Sequence, residues 1–207
     1  MPTKETKEQR DLLLPETKLE VRKVEGEPTK IIGYAVRWDQ LSLPIFGMFQ
    51  EQFKRGAFTD SLKNPDVYAS WQHDEREILG RTPNTLSLLE DDIGLRYEIT
   101  PPSWADKYIE TIERGDVRGS SFIFRAQVEE WDETGDMPIR SVTKAELFEV
   151  SPVTTPAYPQ SSVGIRSAEE VFQARPKQPG NDVEESRRAA ALLDLDMRLK
   201  KINLIGR

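Results

Sequence analysis

Apolar and polar residues alternate along "KLEVRKVEGEPTKIIGYAVRWDQL", residues 18–41. A period of two is the mark of half-buried strands, and the Gly-Pro-containing "EGEPTK" reads as the turn between two of them. "DVYASWQHD" has the same strand character, and "TLSLLEDDIGLRYEIT" predicts a hairpin around Asp91, Asp92 and Gly94. "SSFIFRAQVEEW" and "IRSVTKAELFEVSPV" predict two long strands on either side of "DETGDMP". Helical signals are fewer. "PPSWADKYIETIERGDV" predicts a helix with Ser103 as its cap, Asp106 completing a capping box and Gly115 ending it. "EQFKRGAFTDSLKN" predicts a loop running into a short helix that stops near Asn64 and Pro65. The expected fold class is α+β: a β-rich, mostly antiparallel sheet or partly closed barrel with a few flanking helices.

The pattern also divides the chain. Residues 1–17 are polar and charged and read as a flexible arm; 18–166 carry the strands; "SAEEVFQARPKQPGND" makes 167–182 a linker by composition. In 183–207, Leu192, Leu195, Leu199 and Ile202 recur at helical spacing, which predicts an amphipathic C-terminal helix. No stretch approaches the roughly 20 apolar residues of a membrane span, and the N-terminus lacks a signal-peptide core.

Composition narrows the chemistry. The 207 residues carry a net charge of −7, the wrong sign for a non-specific nucleic-acid or anionic-membrane binder. There is no cysteine, so disulfides, thiolate catalysis and zinc–thiolate sites are excluded. No phosphate-binding glycine loop appears, and one histidine cannot make a zincin pair. "DDIG" and "DETGD" are turns rather than metal sites, so neither cofactor nor metal is expected.

That one histidine, His73, lies in "YASWQHDEREILGR". A serine hydroxyl needs a base near neutrality, and the base needs a third group to orient it. With a single histidine, that third group must be Asp or Glu. In an extended segment Asp74 points to the face opposite His73, so the partner should come from another strand.

Four stretches, "FKRGAFTDSL", "WQHDEREILGR", "RGDVRGSSFIF" and "ELFEVSPVTTPAYP", resemble in order the blocks of the tailed-bacteriophage prohead (capsid maturation) serine proteases, a family related to herpesvirus assemblin. The resemblance covers about residues 30–166. It implies an assemblin-like fold and a serine endopeptidase that acts inside the assembling procapsid in host cytoplasm. Its substrates would be the major capsid protein or a scaffold protein, and often the protease itself, with self-association possible. By the same resemblance the catalytic histidine falls on His73 and the nucleophile on Ser121. Ile123 stands where the family usually has glycine, and Ser120 is the second serine. Alternation puts Ser120 on the face of Phe122 and Phe124 and Ser121 on the other, which favours Ser121. The acid falls on Glu149; Glu146 would serve if the strand bulges. Arg81, Arg118 and Arg125 are read as surface charges and "SPVTTPAYP" as a structural exit loop. Two rivals stand beside this reading. One is a catalytically inactive assembly or scaffold module of the same fold. The other is a hydrolase using carboxylate pairs among Glu110, Glu113, Asp116, Glu146 and Glu149.

Overall fold

A computed structural model describes residues 7–12, 19–63, 65–154 and 162–176. In chain order these form β1 (Glu8–Leu12), β2 (Glu20–Arg22), β3 (Lys30–Arg37), β4 (Gln50–Phe53), β5 (Tyr68–Trp71), β6 (Asp74–Arg81), β7 (Leu86–Glu90) and β8 (Gly94–Ile99). A 3-10 turn (Ser103–Ala105) and α1 (Asp106–Glu113) come next, followed by β9 (Gly119–Asp132), β10 (Ile139–Val153) and α2 (Ser162–Ala174). The described residues up to Phe172 belong to one compact unit; of a second, Gln173–Arg207, only 173–176 are described. The expected C-terminal helix at 183–207 lies outside the described residues. The segment expected as an arm contains β1, and α2 runs through 167–174 of the expected linker.

The strands make two sheets, one ordered β1-β9-β10-β5-β6 with β4 also on β10, the other β2-β3-β8-β7. Among the described residues they form two β-rich, mostly antiparallel sheets and no closed barrel. Among the described residues the pairings are antiparallel except β10 with β4 and β10 with β5. The 15-residue β10 is long enough to serve two neighbours on one edge. Its start, Ile139–Val142, pairs with β4; Glu149 and Val150 pair with β5.

The gap between those two neighbours is filled by residues 54–63. They form successive turns rather than the expected helix, with Ala57 N–H bonded to Lys54 O and Leu62 N–H to Phe58 O. The reason is that this segment spends its polar groups on β10: Ala145 N–H reaches Ala57 O at 2.7 Å and Leu147 N–H reaches Ser61 Oγ at 3.0 Å. The expected cap on the next helix is also absent. Ser103 opens the 3-10 turn, α1 starts at Asp106 without a side-chain cap bond, and Gly115 (φ +79°) ends it as its spacing predicted.

Between the sheets sits an aromatic cluster of Phe53, Phe58, Phe122 and Phe124, with ring centroids 5.0–6.3 Å apart. Burying each ring contributes roughly 1.5–3 kcal/mol. In β8, Leu95, Tyr97 and Ile99 are fully buried while Glu98, on the outer face, bonds Lys30 at 3.0 Å. The Tyr97 hydroxyl crosses between the sheets to Ser120 Oγ at 2.8 Å. Gly33 faces Tyr97 in the β3–β8 register, and a Cβ there would lie 2.5 Å from the Tyr97 oxygen. Gly33→Ala should therefore destabilise the fold by about 1–3 kcal/mol, the usual cost of overpacking. Thermal denaturation checks this; an unchanged midpoint refutes the close-approach argument.

Candidate active site

Strand β5 turns into β6 through Gln72 and His73, because Trp71 pairs with Asp74. Both turn residues have positive φ, +56° and +61°. That is the pattern of a two-residue type I′ hairpin, normally filled by Asn-Gly. His73 therefore stands at a left-handed corner, not within a strand as its segment suggested. Three bonds hold the corner against β10: His73 N–H to Ser151 Oγ at 3.0 Å, Gln72 N–H to Pro152 O at 3.2 Å, and Thr154 N–H to Gln72 Oε1 at 3.3 Å. Asp74 takes no part in the site; its carboxylate pairs with Arg76.

Strand β9 presents the serines as alternation predicted. Ser120 faces the core beside Tyr97, and Ser121 faces the hairpin tip. A bulge in β10 then decides which acid joins them. Leu147 pairs with Phe124 and Glu149 with Ile123, leaving Phe148 as the extra residue. Leu147 and Val150, three apart, both lie in the core, so Glu149 and Ser151 share the face of Ser121. The bulge puts Glu146 on that face too, but Glu146 is engaged by Arg125 at 3.3 Å.

Three chain-distant groups thus meet. His73 Nε2 lies 2.6 Å from Ser121 Oγ, and His73 Nδ1 lies 3.1 Å from Glu149 Oε2. The other carboxylate oxygen, Oε1, accepts from the Ser70 hydroxyl. Ser151 Oγ lies 3.0 Å from Ser70 Oγ and donates to Ser70 O at 2.8 Å. Glu149 is 1% exposed, so both of its oxygens need these partners. Tyr68, opposite Glu149 in register, has its hydroxyl pushed up to about 12, by burial first and then by the charges of Glu149 and Glu75.

Sequence reasoning missed Ser70 and Ser151. The available signals were a serine inside the apolar run of β5, and a serine two residues after Glu149 on the same face. The other acids considered stay apart: Glu113 pairs with Lys23, and Glu110 and Asp116 flank Arg114. Arg81 and Arg118 are exposed, Arg81 bridging to Asp66. A surface cavity of about 640 Å³, lined in part by Asp60, Lys63, Lys144 and Phe148, contains none of the three converging residues.

Strand β1 covers the site. It pairs antiparallel with β9, Asp11 opposite Ser121, and Ser121 Oγ also donates to Arg10 O at 3.0 Å. Ser121 is 0% exposed as a result. Two β1 side chains enter a buried charge cluster. Glu8 is held by Arg140 at 2.6 and 2.9 Å; Arg10 bonds Glu51 at 2.6 Å and Glu8 at 2.7 Å. Arg140 also bonds Glu51 at 2.6 Å and Glu129 at 2.8 Å.

The profile of the caudovirus prohead serine protease family matches residues 17–174, well over half of the chain, and the chain belongs to that family. Among solved structures, the bacteriophage T4 capsid assembly protease gp21 is similar at 11% identity and a TM-score of 0.44, over 73% of this chain and 97% of that one. No curated protein matches the chain in sequence.

The charge cluster predicts an acid response of β1. Burial alone would raise the Glu8 carboxyl, but the Arg10 and Arg140 charges outweigh it and hold it below its ordinary 4.5; Glu51 and Glu129 are the other charged groups around it. A depressed folded-state value stabilises docking above 4.5 and loses that contribution as pH falls through the lowered value. Deuterium exchange of β1 amides should accelerate in that acid window, while β3 and β8 stay protected. Equal acceleration of all three strands would refute it.

Proposed function

We propose that this member of the prohead serine protease family is a capsid-maturation endopeptidase. It acts inside the assembling procapsid in host cytoplasm and cleaves the major capsid protein or a scaffold protein, and itself. The family assignment supports the activity class. The observation that carries the residue roles is the relay Ser121–His73–Glu149, at 2.6 and 3.1 Å. The kinship with assemblin belongs to the same reading.

Glu149 Oε2 accepts from the Nδ1–H of His73, which fixes the tautomer with a lone pair on Nε2. Ser70 holds the other carboxylate oxygen, so the acid cannot rotate away from the ring. Ser121 Oγ then gives its proton to Nε2 as it bonds to the scissile carbonyl carbon, and the carbonyl oxygen becomes an oxyanion. Backbone N–H donors must receive that charge. The imidazolium returns the proton to the departing amine as the C–N bond breaks, leaving an acyl-enzyme. Water, deprotonated by the same ring, reverses the sequence and frees Ser121.

Co-expression with the capsid or scaffold substrate, read on gels, tests the roles. Ser121→Ala and His73→Ala should abolish cleavage, while Ser120→Ala should retain it. Glu149→Gln should lower the rate by up to about 10⁴-fold, the scale seen when a triad acid becomes an amide. Ser70→Ala should cost less, because it removes one support and leaves the relay. Full activity in Ser121→Ala would remove this residue from the mechanism, and no cleavage by the unsubstituted chain would favour the inactive assembly-module reading.

A further inference from the structure

The family match begins at residue 17, so β1 precedes the segment that the family shares. Yet β1 is where an extended peptide would have to run to reach Ser121. It lies in-sheet against β9 from Phe124 to Ser120, and Arg10 O is bonded to the Ser121 hydroxyl. Addition of a strand to a sheet edge is a standard mode of peptide binding, with alternate side chains read in pockets. Here Glu8 and Arg10, two apart, enter the same cluster, Glu8 on Arg140 and Arg10 on Glu51. Arg140 and Glu51 belong to β10 and β4, opposite each other in register, and both are almost fully buried. With β1 in place the cluster holds Arg10 and Arg140 against Glu8, Glu51 and Glu129. Without it, Arg140 keeps its bonds to Glu51 and Glu129, while Glu51 Oε1 loses its Arg10 donor and the two terminal nitrogens of Arg140 lose the Glu8 carboxylate.

We infer that the β9 edge is the substrate-strand cleft, that Arg140 and Glu51 on its floor select an acidic residue followed two positions later by a basic one, and that β1 is an internal peptide occupying it. This rests on the peptidase reading above and adds the recognition chemistry. The basic residue lies at the carbonyl nearest Ser121, and the acidic one two residues before it.

The test uses full-length chain carrying Ser121→Ala, so that binding is read without cleavage. The probe is a fluorescein-labelled peptide with the sequence of residues 6–13, TKEQRDLL. Introducing Glu8→Lys with Arg10→Glu into the chain should undock β1 and tighten peptide binding at least tenfold over the Ser121→Ala parent. A peptide with the same two charges reversed should bind that chain at least tenfold more weakly than TKEQRDLL. Equal binding of TKEQRDLL by both chains, or of both peptides by the charge-reversed chain, overturns the inference. Should the charge-reversed chain fail to fold by circular dichroism, the parent suffices. Saturating TKEQRDLL should then speed deuterium exchange of the β1 amides and the reversed peptide should not; unchanged exchange overturns the inference. Loss of all peptidase activity in the unsubstituted chain would refute the reading beneath without altering these binding results. Failed binding beside Ser121-dependent cleavage would sink the cleft alone.

Discussion

The site depends on one extra residue in β10. If β10 kept a strict period of two past Leu147, Glu149 would face the phenylalanine core and Val150 would face the serine. A carboxylate in that core would cost several kcal/mol or lose its charge. The bulge at Phe148 turns the strand over, so that Val150 keeps the core filled while Glu149 and Ser151 reach the histidine. The same strand supplies the anchors for the Gln72–His73 corner. Each left-handed non-glycine residue there costs roughly 1–2 kcal/mol. The bonds from the corner to Ser151, Pro152 and Thr154 offset that cost and fix where the imidazole stands. Backbone strain at a site persists when its surroundings over-determine it.

Around the relay, serine and tyrosine hydroxyls bond their neighbours in turn, while Gln72 Nε2 at the corner is buried without a partner among the described residues. Ser70 serves Glu149, Ser151 serves the Ser70 carbonyl and receives the His73 amide, and Tyr97 serves Ser120 from the opposite sheet. Such a network is costly when half complete and rigid when complete. Rigidity is what general-base chemistry requires, because a misplaced ring loses the proton-transfer geometry.

Much of this was legible beforehand. The hairpin of β7 and β8, the long pair β9 and β10, and the opposite faces of Ser120 and Ser121 follow from alternation alone. The three converging residues came from the block resemblance. What alternation could not supply is where it stops. Nothing local in "AELFEVSPV" announces a bulge at Phe148, since its purpose is set by a distant histidine. Nothing in "QH" announces two positive φ angles, because the residues are not those that such turns favour. The 54–63 segment carries helical composition, but its backbone groups are claimed by β10. The arm misled for a similar reason: a short charged stretch looks unstructured until Arg140 and Glu51, far along the chain, complete it.

Proton accounting gives β1 a second consequence beyond covering the serine. The Ser121 hydroxyl carries one proton and lies within bonding distance of two groups, His73 Nε2 and Arg10 O. Arg10 O can only accept. When the hydroxyl proton goes to Arg10 O, a bond between the serine and the ring needs Nε2 to be the donor. The ring then already holds the proton that a general base must be free to take. When the proton goes to Nε2 instead, the carbonyl of Arg10 loses its side-chain donor. The docked strand thus sets the carbonyl and the base in competition for one hydrogen. A substrate that put its carbonyl oxygen among other donors, and its carbon before the hydroxyl, would free that proton for the ring. On the proposed peptidase reading, occupancy and activation therefore differ by the direction of one hydroxyl, and β1 would fill the proposed cleft without being positioned for attack.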